Sequence, residues 1–285
     1  MNRDNILIEA EELKSIADNG NLRVYDVSIV VAAFGGDGTN QLTAQEKYLQ
    51  GHIPGAAFFD HQNFSDRNSD YMFMVLPETE LASSIGNLGI TEDSEVIFYS
   101  TESIIWATRA WWILRYAGHD NVRILNGGLA AWQQSGGEIE QAARRYEATD
   151  YECKLRPNMI ASKEDVQAAM EDDAVCTVNT LSHDDYTGSS DAYYAAQGHI
   201  TGSVNHPCDD LLDGASFLAN DELASRLDEK APGEQIITYC GAGIAATVNA
   251  VAYLLVGQDN IAMYDGSMLE WMGEGLPTTN GDSPA

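Results

Sequence analysis

The sequence predicts an α/β protein of two tandem domains, each a mostly parallel sheet with helices on both faces. Three observations carry this. The 285 residues suffice for two domains of ordinary size, each able to bury its own core. "GHIPGAAFFD" at 51–60 returns as "GHITGSVNHP" at 198–207, "EVIFYS" ending at Ser100 returns as "QIITYC" ending at Cys240, and "NVRILNGGLAAW" from Asn121 returns as "NIAMYDGSMLEW" from Asn260. The offsets are 147 (His52 to His199), 140 (Ser100 to Cys240) and 139 (Asn121 to Asn260), in one common order, so about half the chain duplicates the other half. Within each half, short β-rich runs alternate with segments of helical period, the pattern of parallel strands joined by helical crossovers.

The elements follow in order. "LRVYDVS" reads as a strand, and "ETELASSIGNLG" as an amphipathic helix closed by Gly89. "EVIFYS" is a strand, and "WATRAWWILRYAG" a helix closed by Gly118. "VRIL" and "LAAWQQS" give a last strand and a short helix. The second half repeats this with "AVCTVN", "NDELASRLDEK", "QIITYC", "TVNAVAYLLVG", "IAMYD" and "SMLEW". Between the halves the chain loses periodicity, which places a first domain at 1–136, a linker at 137–158 and a second domain at 159–285.

Charge narrows the function. Against 44 acidic residues stand only 15 lysines and arginines, a net charge of −29 that repels phosphate backbones and argues against a nucleic-acid partner. Such a surface is best tolerated where salt screens it. No apolar tract approaches 18 residues, and "MNRDNILIEAEEL" has no apolar signal core, so the expectation is a soluble, cytoplasmic protein with no membrane partner. Four cysteines, Cys153, Cys176, Cys208 and Cys240, form no Cys-x-x-Cys and no metal-ligand grouping, so neither a disulfide framework nor a metal is expected.

Cys240 differs from the other three. The strand Ile236–Tyr239 delivers it into Gly241, Ala242, Gly243, Ile244, Ala245 and Ala246, before a helix from about Thr247. Ligands in parallel α/β sheets sit beyond the carboxyl ends of strands. Glycines at 241 and 243 let the loop curl so that backbone N–H groups face the sulfur, and the helix N-terminus adds the positive end of its dipole. Together these favour a thiolate and an anion bound against it. At the duplicate position stands Ser100, so one half keeps the chemistry and the other supports it. A cysteine phosphatase would need Cys-x5-Arg to grip phosphoryl oxygens, and position 246 is alanine.

Taken together, the two Gly-His-Ile segments, "RAWWILRYAG", "LNGGLAAW", "YDGSMLEW" and the Cys240 loop resemble the tandem-domain rhodanese family of sulfurtransferases, of thiosulfate or 3-mercaptopyruvate type, over essentially the whole chain. The resemblance implies a non-catalytic first copy and a second copy whose Cys240 takes up sulfur as a persulfide held by the loop amides. It implies no cofactor. The partners implied are a small anionic sulfur donor and a thiol, cyanide or reductant-protein acceptor. A weak persulfide carrier or partner-binding module is the alternative reading.

Departures from the family pattern bear on the donor. Thiosulfate-using members carry Cys-Arg-Lys-Gly and mercaptopyruvate-using members Cys-Gly-Ser-Gly-Val-Thr, whereas this chain has alanine at both hydroxyl positions, Ala242 and Ala245. "CTVNTLSHDDYTG" lacks the arginine of the "DAR" strand end, and Gln62 and Met74 replace an acidic residue and a histidine. These losses favour thiosulfate. Arg67, His61 and His183 are the remaining side-chain candidates, while His52 and His199 read as polar anchors of turns. No lysine or arginine follows Lys230, so the loop has no cation local in sequence. The site is expected between the domains, with Cys240 on one wall and Arg67 and Trp106 on the other.

Overall fold

The computed structural model describes residues 1–29, 42–190, 198–227 and 234–282. The first half contains β1 (Leu7–Ile8), α1 (Ala10–Ser15), β2 (Leu22–Asp26), α2 (Ala44–Gln50), β3 (Ala57–Phe58), α3 (Glu78–Asn87), β4 (Glu95–Tyr99), α4 (Ile105–Tyr116), β5 (Val122–Leu125) and α5 (Gly128–Gln134). The second contains β6 (Ile160–Ala161), α6 (Lys163–Ala169), β7 (Val175–Asn179), α7 (His183–Thr187), β8 (His199–Ile200), β9 (Val204–Asn205), β10 (Leu212–Asp213), β11 (Ser216–Phe217) and α8 (Asn220–Leu227). It ends with β12 (Gln235–Tyr239), α9 (Ala246–Leu255), β13 (Ile261–Tyr264), α10 (Ser267–Gly273) and β14 (Thr278–Thr279). Residues 228–230, expected to extend α8, lie outside the described residues.

The duplication survives in the topology. One five-stranded sheet runs β1-β5-β4-β2-β3 and the other β6-β13-β12-β7-β9, the same order, with every pairing in both parallel. Two short antiparallel pairs, β10-β11 and β14-β8, flank the second sheet. The central strands are buried along almost their whole length, as the apolar runs of β4 and β12 require. Gly89 and Gly118, both at positive φ, follow the ends of α3 and α4.

Sequence reading missed α2 and α6, which are short helices opened by capping boxes. Thr43 and Glu46 exchange hydrogen bonds at the first, Ser162 and Asp165 at the second. Each box satisfies two end donors, which lets a helix of only two turns form where its apolar face is thin.

Helix α4 packs against α9, and Thr108 and Thr247 share a hydrogen bond at 2.8 Å across that contact. One hydrophobic core accordingly runs through both halves, taking in Trp106, Trp111 and Trp112 from the first and Cys240, Ile244 and Val248 from the second. The segment 137–158 is largely irregular and lies along the first domain. Its backbone bonds His52, Gly86, Ala117 and Tyr116, and the Tyr146 hydroxyl donates to the Gly55 carbonyl at 2.9 Å.

His52 and His199 show why the Gly-His-Ile segments recur. Each is fully buried, with Nδ1 on a backbone oxygen, Tyr48 O at 2.8 Å and Tyr186 O at 2.9 Å. Each stacks on that same tyrosine, at 3.9 and 3.7 Å between ring centroids. They anchor turns, as the sequence suggested.

Candidate active site

Cys240 leaves the carboxyl end of β12, the central strand of the second sheet, where the chain direction across the sheet reverses between β7 and β12. A crevice opens at such a reversal because the two following connections diverge to opposite sides. The residue is 2% exposed. Its carbonyl accepts the Met268 N–H at 3.0 Å, and the Gly241 carbonyl accepts the Leu269 N–H at 2.9 Å, so the turn entering α10 braces the loop from outside.

Ser267 is the principal brace. Its Oγ accepts the N–H groups of Cys240 at 3.1 Å and Gly243 at 3.0 Å and donates to the Tyr264 carbonyl at 2.8 Å. Its φ is +50°, a strained conformation for a side chain with a Cβ, so these bonds hold the backbone against its own preference. Ser267→Ala is expected to destabilise the protein by about 2 kcal/mol, because two buried N–H groups lose their acceptor. Thermal unfolding measures this. A loss below about 0.5 kcal/mol would show that the brace is redundant.

The loop amides divide into two sets. Gly243 departs from the expectation that its N–H faces the sulfur: it is used structurally, on Ser267. Its φ of +70° and the Asp265 carbonyl, 2.5 Å from where a Cβ would stand, explain why glycine occupies this position. By contrast, the N–H groups of Gly241, Ala242, Ile244, Ala245 and Ala246 donate to no acceptor among the described residues. Ala245 caps α9 without any side-chain hydrogen bond, so the helix terminus is also open. Five unspent donors thus gather on the turn that carries the thiol.

A cation does reach this loop, from a residue far away in sequence. Arg109, from the middle of α4, donates through Nη1 to the Gly243 carbonyl at 3.1 Å and to Asp265 Oδ1 at 2.7 Å, while Nη2 donates to the Phe73 carbonyl. The pair is buried, with side chains 1% and 3% exposed. Asp265 Oδ2 in turn accepts the Val75 N–H of the first domain at 2.6 Å. The guanidinium therefore pins the cysteine loop from below and ties the two domains together.

The remaining candidates fall elsewhere. His61 is buried, with Nε2 at 3.1 Å from the Val27 carbonyl and its ring against Trp106. Burial and then the nearby Arg109 charge push it down to about 3, so it stays neutral near pH 7 and suits a wall better than a proton relay. Trp106 also packs on Phe73. His183 is exposed and faces Asp282 at 3.0 Å. Arg67, expected opposite Cys240, is instead exposed and lines a groove between the first domain and the segment 137–158 whose walls include no residue of the cysteine loop. Burial pushes the Cys153 and Cys176 thiols up to about 11, and burial together with Asp209 and Cys240 pushes Cys208 up to about 12. At neutral pH these three remain thiols.

Fold and site define a class: a duplicated α/β protein in which a cysteine at a sheet reversal opens a turn whose amides are largely unspent among the described residues. The chain belongs to the family of rhodanese-like domains, which it matches at residues 9–135 and 162–274. It is 31% identical over 278 residues to the thiosulfate sulfurtransferase of Bos taurus, covering 95% of this chain and 91% of that one. It is 29% identical over 250 residues to the 3-mercaptopyruvate sulfurtransferase of Escherichia coli strain K12, covering 86% and 89%. Among solved structures it resembles the 3-mercaptopyruvate sulfotransferase SseA of Escherichia coli, with a TM-score of 0.82, 27% identity and coverage of 92% and 98%.

Proposed function

We propose that this protein is a sulfurtransferase that moves a sulfane sulfur from a small anionic donor, thiosulfate in preference to 3-mercaptopyruvate, through a persulfide on Cys240 to a thiophilic acceptor. The observation that carries the reading is the set of five free amides, Gly241, Ala242, Ile244, Ala245 and Ala246, on the turn that holds the thiol. The Cys240 thiolate attacks the outer sulfur of thiosulfate, the S–S bond breaks, and its electron pair leaves with sulfite. The outer sulfur remains on Cys240 as an anionic persulfide, and amide donors at a helix N-terminus stabilise that charge. Cyanide or a thiol then attacks the persulfide sulfur and releases the Cys240 thiolate. Residues 1–136 serve as the non-catalytic copy and 159–285 as the catalytic one, joined by 137–158.

The donor preference rests on what the loop lacks. Ala242 and Ala245 offer no hydroxyl for a proton relay, whereas thiosulfate needs only donors for its charge. Incubation with thiosulfate is expected to add one sulfur atom to the intact protein by mass spectrometry. In steady state with cyanide as acceptor, the apparent affinity for thiosulfate should improve as salt rises from low values, because screening relieves the repulsion of a surface with net charge −29. Faster turnover of 3-mercaptopyruvate than of thiosulfate would reverse the assigned preference.

A further inference from the structure

A second site is marked by cations that the fold leaves unspent. Of the 15 lysines and arginines, Lys230 lies outside the described residues, and nine are paired with carboxylates. Arg3 and Arg23 are bonded to backbone carbonyls. Among the described residues the three that remain are Arg67, Arg144 and Arg145, and all three line one groove of about 970 Å³ between the first domain and the segment 137–158. In a chain where carboxylates outnumber cations 44 to 15, three guanidiniums at one place with no carboxylate partner among the described residues are the reverse of what random placement gives.

The rest of the lining agrees. Gln62, Asn63 and Asn68 place neutral amide side chains in the same groove. Two carboxylates also line it: Asp60, whose Oδ1 accepts the Gln62 N–H at 3.0 Å, and Glu80, in the first turn of α3. Neither is paired with any of the three arginines. The Arg144 guanidinium instead lies over the Tyr146 ring, 5.3 Å from its centroid, which fixes the charge at the wall without neutralising it.

We propose that this groove binds a small organic molecule carrying two or more oxyanion groups, carboxylate or phosphate, held by Arg67, Arg144 and Arg145. Planar guanidiniums match both oxyanions bidentately, and the volume lies within the range of small-ligand sites. Several charges are needed on one ligand, because the net charge of the protein opposes the approach of any anion and only contact-range pairs offset that repulsion. The site uses no sulfur chemistry and stands apart from the Cys240 reading.

Titration calorimetry on the full-length protein in about 0.1 M salt, with citrate as the carboxylate probe and pyrophosphate as the phosphate probe, tests it. Saturable one-site binding of either probe is expected, and the tighter of the two names the oxyanion. Arg67→Gln and Arg145→Gln should each weaken binding about tenfold or more, Arg67→Lys less. Lys154→Gln, which removes a cation away from the groove, and Cys240→Ser should leave binding unchanged. The three arginines are exposed, so melting curves of the variants should match the parent. Absence of saturation with both probes, or binding that survives the Arg67→Gln/Arg145→Gln double variant, would overturn the proposal.

Discussion

Cys240→Ser is expected to lower sulfur transfer by at least on the order of a thousandfold, because a hydroxyl at this position is neither ionised near neutrality nor able to carry sulfur as a persulfide. The fold should survive. Cys240 is 2% exposed, and exchanging one small atom for another there should cost about 1 kcal/mol, so the loss will be one of rate and not of folded protein. Cys153→Ser, Cys176→Ser and Cys208→Ser are the necessary controls. Their thiols are pushed up to about 11, 11 and 12, and none stands at the start of the open amide turn. Each should keep most of the activity wherever it remains folded. Equal loss from Cys208→Ser in a folded protein would move the chemistry away from Cys240 alone, since Cys208 lies near enough to feel its charge.

The second large effect belongs to Arg109. Arg109→Met should destabilise by about 3–5 kcal/mol, because it leaves Asp265 buried without its counter-charge and removes the donor to the Gly243 carbonyl. Replacing both members, Arg109→Met with Asp265→Asn, should cost less than the two single changes summed, which is the signature of a coupled pair. Arg109→Lys should recover only part of the loss, since an ammonium cannot span acceptors on both sides as the planar fork does. Activity should fall with stability, because the same guanidinium fixes the loop that carries Cys240. Denaturant unfolding of the four variants decides the matter. A single Arg109→Met cost under about 1 kcal/mol would mean that the pair is dispensable.

What could be read from sequence followed locality. The duplication, the order of the long helices and central strands, and the place of Cys240 beyond a strand end were legible because each rests on a contiguous pattern. His52 and His199 were legible for the same reason, each being read together with its own repeat. Arg109 was not, since it lies within "RAWWILRYAG", an apolar helix, and its partner Asp265 is 156 residues away. Only the packing of α4 on α9 brings them together. Ser267 was hidden similarly, since nothing in "YDGSMLEW" shows that its hydroxyl turns back to a loop 27 residues earlier. Helices α2 and α6 were legible in principle, from Thr43 with Glu46 and Ser162 with Asp165, yet their apolar periods are too short to draw notice. Arg67 could be named as a cation of the first domain but was expected opposite Cys240, whereas it lines a groove assembled from five separated stretches of chain that include no part of the cysteine loop.

The hydrogen bond between Thr108 and Thr247 carries a consequence of another kind. These two residues are counterparts in the repeat, 139 positions apart, the offset that also separates Asn121 from Asn260. A residue that meets its own counterpart lies on a local two-fold axis, and helices α4 and α9 cross there as the same face of one element seen twice. The domain contact is therefore isologous, the geometry of a symmetric homodimer whose subunits share one chain. Two identical subunits must each supply every residue of the contact, but covalently joined copies are free of that rule. Val248 stands where the counterpart of Arg109 would be, and Ser100 where the counterpart of Cys240 would be. One copy gives the thiol and the other the guanidinium beneath it, a division that identical subunits could not make.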